Sequence, residues 1–179
     1  MNPRRTTMLL LVTALLACSK GREPDRRPPS APAAVDESCI ETAPLIKDDE
    51  AKAVLGGLSG PGRCHTCAQA RGVGSGCAWQ GDGRAGMPRM LNAGVSIYQS
   101  GNTWETTRAI RLQSGTYRDV PGLPGQAHAA VIVGQLQLIM RLGDRGELML
   151  MMPATSAGVD IPEAFGKLAR TFYARAIAN

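Results

Sequence analysis

The sequence predicts a single α+β domain, in which an antiparallel sheet carries helices packed on one face. Three apolar segments between residues 129 and 152 are typical of strands, and short turns join them. Parallel strands would need a long crossover, so these strands are expected to pair antiparallel. Segments with helical spacing are separate from these strands along the chain, which is typical of helices layered on a sheet.

Length and composition limit the class of protein. The chain has 179 residues, of which 44% are hydrophobic and 20% are charged. This suits one ordinary globular domain, since most domains have about 100–150 residues. The net charge is +5, and it becomes +3 (18 basic against 15 acidic residues) once the first 17 residues are left out. So small and dispersed an excess does not predict nucleic-acid binding.

Residues 1–17 have the pattern of a bacterial signal peptide. Two arginines precede an apolar run of ten residues at positions 8–17, which is too short to cross a bilayer. The run ends in Leu-Leu-Ala-Cys18, which resembles a lipobox. This resemblance implies cleavage before Cys18 and the attachment of acyl chains such as palmitate, which would anchor the protein stably. The alternative is an ordinary cleaved signal, in which Cys18 has no special role.

Residues 18–38 are expected to form a Pro-rich tether between the lipid and the domain. Four prolines disfavour helix and strand, and the four basic charges balance the four acidic ones. Ser19 and Lys20 follow the lipobox cysteine instead of the aspartate that often retains lipoproteins in the inner membrane. The sequence therefore favours the outer membrane, on the periplasmic side or the cell surface. The folded domain is predicted to span residues 39–179.

Three helices are predicted in this domain. The first spans residues 46–55, begins with acidic residues that suit the positive helix end, and stops at Gly56. The last begins with Asp160 as N-cap and Glu163 as the third helical residue. Its apolar face comprises Ile161, Phe165, Leu168, Phe172 and Ala176. A further helix is expected from Asn102 to about Gln113.

Four strands are predicted from apolar patterns. Apolar and polar residues alternate over residues 91–98, which is typical of a half-buried strand. Further strands are expected at residues 129–133, 135–142 and 147–152. The segment 143–146 is predicted to be the hairpin turn between the last two.

The usual catalytic motifs are absent or out of context. Residues 81–86 match a dinucleotide-binding fingerprint by letter, but a strand follows where the phosphate site needs a helix. Only His65 and His128 supply imidazole bases, and no nucleophile elbow occurs. The sequence therefore predicts a protein that is not an enzyme and holds no cofactor.

Three methionines near the end of the sheet admit two interpretations. Met149, Met151 and Met152 would suit a soft metal, which thioethers bind well. Filling gaps on a strand covered from both sides explains them more simply. No metal site is predicted from them.

The remaining cysteines carry most of the chemical information. An even number of cysteines in an oxidising compartment predicts disulfides, and four of them allow three pairings. They are Cys39, Cys64, Cys67 and Cys77. One alternative is a redox dithiol of Cys64 and Cys67, with Arg63 and His65 favouring the thiolate. A second is a zinc site made by all four.

The segment Gly76-Cys77-Ala78-Trp79 resembles a large, uncharacterised family of bacterial lipoprotein domains. Members carry a lipobox, a Pro-rich tether, an early cysteine (here Cys39) and a helix that ends in Leu-Gly (here Leu55-Gly56). The segment 119–123 resembles a turn that precedes the family's second set of strands. The pattern differs at residues 37–38, where Glu-Ser replaces the usual Asp-Pro.

This resemblance implies an α+β sandwich and a Cys39–Cys77 bridge, which would leave Cys64 to pair with Cys67, two cysteines that the family pattern lacks. It supplies no catalytic residue. Trp79, two positions beyond Cys77 on the expected strand, is predicted to face the core.

The expected function is that of a lipid-anchored lipoprotein of the cell envelope. We expect a non-enzymatic module that binds an unknown envelope protein or small ligand with its sheet face or loops, and no nucleic acid. The alternatives are a membrane-tethered thiol–disulfide oxidoreductase that uses Cys64 and Cys67, and a metal-binding lipoprotein.

Overall fold

The computed structural model describes residues 39–70, 73–99 and 101–179. The predicted signal peptide, Cys18 and the tether lie outside the described residues. Within the described ranges, three helices accompany a seven-stranded sheet in which all neighbouring strands are antiparallel. The predicted α+β fold class is confirmed.

The elements follow the chain in a simple order. The helices are α1 (Asp48–Leu55), α2 (Trp104–Gln113) and α3 (Glu163–Ala178). The strands are β1 (Arg63–His65), β2 (Gly74–Gln80), β3 (Met90–Ile97), β4 (Arg118–Asp119), β5 (Ala127–Ile132), β6 (Gln135–Leu142) and β7 (Gly146–Pro153). Their order in the sheet is β1-β2-β3-β7-β6-β5-β4.

Tight turns set the pairing of the second half of the sheet. Val133 and Gly134 join β5 to β6 with φ angles of 49° and 71°, the backbone that a two-residue hairpin turn requires. The predicted turn at residues 143–146 joins β6 to β7, with Leu142 paired to Gly146. β7 then returns beside β3, so the two halves of the chain form one sheet.

One face of the sheet, here termed the core face, is apolar and covered by α1 and α3. Alternate residues of the central strands point to it because side chains alternate along a strand. They include Leu91, Ala93, Val95, Leu136, Leu138, Met140, Leu148, Leu150 and Met152, all buried. Ala51, Val54 and Leu55 of α1 and Phe165, Leu168 and Phe172 of α3 complete this core.

An ion pair joins the two helices that cover the core face. The Arg175 guanidinium of α3 donates to both carboxylate oxygens of Glu50 in α1, at 2.7 and 2.8 Å. The same guanidinium donates to the Leu45 carbonyl at 2.9 Å. Glu50 also accepts from the Lys47 N–H, so it caps α1 while it holds α3.

The start of α3 differs from the predicted one. Asp160 was expected to be the N-cap, but the helix begins at Glu163, after Pro162 as the flanking residue. A proline disfavours helical backbone in the residue before it, which explains why the helix does not begin at Ile161. The predicted apolar face is otherwise confirmed, with Phe165, Leu168, Phe172 and Ala176 buried.

The described residues cover only half of the opposite face of the sheet, here termed the outer face. α2 begins at the cap formed by Thr103 and Thr106, and its Trp104 ring lies against His128 of β5. His128 alternates with the core residue Ala129, so it belongs to the outer face. The predicted position of the helices on one face therefore holds for α1 and α3 but not for α2.

Candidate functional site

The structure pairs the four cysteines differently from the family-based prediction. Cys39 is bonded to Cys67, and Cys64 to Cys77. The prediction that these cysteines form disulfides agrees with this arrangement, but the predicted pairs Cys39–Cys77 and Cys64–Cys67 are wrong.

Strand register explains the observed pairing. Cys64 of β1 lies directly opposite Cys77 of β2, so their side chains meet across the strand pair. Cys67 lies in the turn after β1, where its N–H donates to the Glu41 carboxylate at 2.9 Å. That contact brings Cys67 close to Cys39, two residues before Glu41. The sequence contained no signal for the position of β1.

These bridges bear on both alternative functions. Cys64 and Cys67 belong to separate disulfides, so the Cys64–Cys67 bridge that the alternative redox pair would form is not present. All four sulfurs that the proposed zinc site would use are bonded to one another in pairs. Among the described residues, no three of His, Cys, Asp and Glu lie close enough together to hold a metal ion.

The two histidines are far apart. His65 lies on β1 at one edge of the sheet, and His128 lies on β5, with four strands between them. Neighbouring strands are about 4.8 Å apart, which places the two backbones about 24 Å from each other. They cannot share a substrate as an acid–base pair.

His128 is enclosed beneath α2. Its ring lies between Trp104, at 4.9 Å between ring centroids, and Tyr117, at 5.2 Å. Neither of its ring nitrogens, nor the indole N–H of Trp104, has a hydrogen-bond partner in the part of the chain that the structure describes. Burial, and next the positive Arg111, lower the pKa of His128 to about 4, so the imidazole is neutral at pH 7.

Charged and polar groups around this ring fasten α2 to the sheet. Arg111 donates to both carboxylate oxygens of Glu147 on β7, at 2.7 and 2.6 Å. Tyr98 lies against the same carboxylate, and burial together with this negative charge raises the pKa of Tyr98 to about 12. The cluster closes half of the outer face, and its imidazole is buried away from solvent.

The fingerprint-like segment is a loop without a phosphate site. Residues 81–86 connect β2 to β3, and no helix begins there in the described structure. Gly83 and Gly86 have φ angles of 81° and 76°, a backbone that glycine adopts without strain. The prediction of a glycine loop at this position agrees with the structure.

The other half of the outer face carries an open groove. A cavity of about 380 Å³ lies over β2 and β3, between the β1 and β7 side chains. Its floor includes Gly76 and Gly94, which are direct neighbours in the sheet. One wall is formed by Arg63 and His65, and the other by Met149 and Met151.

Glycines shape the floor of this groove in two ways. The His65 ring lies over Gly76, where an added Cβ would be 2.6 Å from its Cε1 atom. The imidazole therefore extends from β1 over β2, towards the middle of the groove. At Gly94, an added Cβ would lie 3.2 Å from the Ser75 carbonyl oxygen and within 4 Å of no other described group, so there is space above Gly94. A side chain at either position would fill the groove.

The methionine interpretation is correct for only one of the three residues. Met152 is buried in the core, whereas Met149 and Met151 point to the outer face and are only half-buried. No described helix covers them, because α2 lies over the other half of this face. They are flexible, polarisable side chains that line an open surface.

A second cavity continues the groove along the strands. It has a volume of about 740 Å³, shares Arg63 and Ala78 with the first, and reaches Arg89 and Met90. The two adjoining cavities are here termed the outer groove. Arg63, His65 and Arg89 contribute basic groups, and among the described residues no Asp or Glu lines either cavity.

No family model, curated protein or solved structure matches this chain. The resemblance to the lipoprotein domain family therefore stays a prediction. Among the described helices, none is both long enough and apolar enough to cross a membrane.

The outer groove was missed at the level of sequence. Glycine inside a strand often marks a place where a ligand or another chain approaches closely, so Gly74, Gly76 and Gly94 offered a weak signal. That signal depends on strand register, because only the pairing of β2 with β3 makes Gly76 and Gly94 neighbours. The register was not predictable from the pattern of β2, in which glycine occupies two of the four outer-face positions.

Proposed function

We propose that this protein is a lipid-anchored binding module of the bacterial cell envelope, and that it holds its ligand in the outer groove rather than acting as an enzyme. The lipobox ending at Cys18 supports the location. The open groove supports the binding role. These are independent features, one read from the sequence and one from the fold.

The observation that carries the proposal is the unequal cover of the outer face. α2 closes the side formed by β5, β6 and the start of β7 through Trp104 and Arg111, whereas the side formed by β1, β2 and β3 has no described cover. Each of the two cavities, with volumes of about 380 and 740 Å³, falls within the range that small-molecule sites occupy. The mixture of apolar walls with a few polar groups is also typical of such sites.

Methionine oxidation tests whether the groove is occupied in the cell. Envelopes and purified, delipidated protein would be exposed briefly to hydrogen peroxide, and sulfoxide formation measured for each methionine by mass spectrometry. Met149 and Met151 should oxidise several-fold more slowly in envelopes than in the purified protein, because a bound ligand covers them.

Met87 is the internal control. It is exposed and lies outside the groove lining, so its oxidation should be the same in both samples. Equal rates for Met149 and Met151 in envelopes and in purified protein would show an empty groove and would contradict the proposed function.

A further inference from the structure

The charge of the outer groove indicates the class of its ligand. Arg63 lies near the middle, where the two cavities meet, and Arg89 lies towards one end. Neither arginine forms an ion pair with a residue that the structure describes. By contrast, the arginines of the covered half, Arg111 and Arg108, are neutralised by carboxylates. Two guanidinium groups without a carboxylate partner among the described residues, beside a cavity that no described carboxylate lines, favour an anionic ligand.

The length and walls of the groove indicate an apolar chain. It follows β3 from Ser96 to Met90, a distance of about 20 Å at the rise of a strand. Met90, Met149 and Met151 line it, and methionine adapts its shape to flexible apolar partners. A long and largely apolar groove suits an extended chain better than a compact polar molecule.

We propose that the outer groove binds a single-chain amphiphile with an anionic head group, a carboxylate or a phosphate. The chain lies along β3 over Gly94 and beside Met149 and Met151, and Arg63 pairs with the head group. The groove is the site of the proposed function, so this inference rests on that proposal and adds the ligand class to it.

Site-specific NMR can test the ligand class. The full chain would be labelled with 13C at its methionine methyl groups and held in nanodiscs of zwitterionic phospholipid, which has no net charge. It would then be titrated with decanoate, decyl phosphate and decanol. The Met149 and Met151 signals should shift and then reach a plateau as the probe is added. The tighter-binding of the two anions should reach half of its full shift at a concentration at least ten-fold lower than decanol does. The two anions also show which head group is preferred.

Two pairs of variants separate the head group from the chain. Arg63→Gln should abolish the ten-fold preference for the anions, whereas Arg170→Gln, at an exposed position of α3, should retain it. Gly94→Val should fill the groove and abolish the Met149 and Met151 shifts with all three probes. Gly158→Val, which has open space around its added side chain, should leave those shifts unchanged.

The outcomes distinguish the ligand class from the proposed function. Equal binding of decanol and the anions, or an unchanged preference in Arg63→Gln, overturns the anionic amphiphile. If no probe shifts Met149 or Met151 while both are protected from oxidation in envelopes, the ligand class is wrong and the binding function stands. If both the shifts and the protection are absent, both proposals fail.

Discussion

Among single residues, His128 combines complete burial with a titratable ring that no described group hydrogen-bonds. Its pKa is lowered from 6.5 to about 4 in the folded protein. Between these values the unfolded chain binds a proton that the folded chain does not, so stability falls as the pH falls from about 6.5 to 4. We expect a loss of about 3 kcal/mol over this window, measurable by urea unfolding at several pH values.

Two histidine variants check the origin of this pH dependence. His128→Phe removes the titrating group and keeps a ring beside Trp104 and Tyr117, so its stability should vary much less between pH 6.5 and 4. His65→Gln, at an exposed position, should keep the wild-type dependence. If both variants lose stability on acidification as the wild type does, His128 is not the cause.

Trp79 connects the core to the first helix. It is 2% exposed, as the prediction of a core position required, and its indole N–H donates to the Asp48 carboxylate at 2.7 Å. Trp79→Ala should reduce the free energy of unfolding by about 3–5 kcal/mol, because it removes a large buried ring. Trp79→Phe, which loses the hydrogen bond to a carboxylate but keeps most of the buried ring, should cost less, about 2 kcal/mol. Chemical denaturation measures both, with Ile177→Ala, an exposed residue of α3, as the control.

At the scale of elements, a partly buried ion pair joins α2 to the sheet. Arg111→Met would leave the Glu147 carboxylate, about 10% exposed, without its bidentate partner. We expect a loss of about 2–4 kcal/mol, and recovery of most of it when Glu147→Gln is added, because the uncompensated charge is then removed.

Arg108→Met is the matched comparison on the same helix. Its partner Asp119 is 61% exposed, so breaking this pair should cost less than about 1 kcal/mol. Equal losses in the two single variants, measured by thermal or urea unfolding, would show that α2 does not depend on the Arg111–Glu147 pair.

The disulfide connectivity of the N-terminal elements can be read from one tryptic digest. Trypsin cuts after Arg63 and Arg71, so Cys64 and Cys67 stay in one peptide. With the observed pairing, the non-reduced digest should contain three linked peptides. The family-based pairing would instead release that peptide alone, with an internal bridge. Fragmentation of the linked peptides in the mass spectrometer then distinguishes a Cys39–Cys67 bridge from a Cys39–Cys64 bridge.

The accuracy of sequence-based prediction differs between these elements for physical reasons. β6, at residues 135–142, and the turn after it were predictable because the apolar pattern and the glycines agree. β1 is three exposed residues long, so it has no burial pattern to recognise. Without β1, nothing in the sequence could show that Cys64 faces Cys77. The position of α2 was likewise hidden, because Trp104 alone is buried in that helix.

At the scale of the whole molecule, Cys18 is expected to determine where the protein resides. Cys18→Ala should prevent lipidation, and the protein should leave the membrane fraction or stay unprocessed, as fractionation and mass spectrometry would show. Cys39→Ala keeps the lipobox and should still fractionate with membranes. A Cys18→Ala variant that remains wholly in the outer membrane would contradict the lipoprotein hypothesis.

The candidate site is a property of the assembled sheet, which limits what the sequence could reveal about it. Arg63, Gly94 and Met149 come from three strands. β7 lies beside β3 in the sheet, although β4, β5 and β6 separate the two along the chain. Composition and spacing identified the cysteines and the lipobox, which are local patterns. They could not bring together residues that are more than eighty positions apart.

The two disulfides also determine how the domain transmits mechanical load. A pull on the chain ahead of Cys39 passes through its sulfur to Cys67, along the short segment to Cys64, and through the second bridge to Cys77 on β2. The force reaches the sheet through covalent bonds, so it cannot pull the chain between residues 40 and 76 out to its full length. After reduction of both disulfides, we expect the same pull to detach α1 and β1 from the sheet before any other element. A domain held at its N-terminal side thus bears tension on the strand that forms the floor of the outer groove.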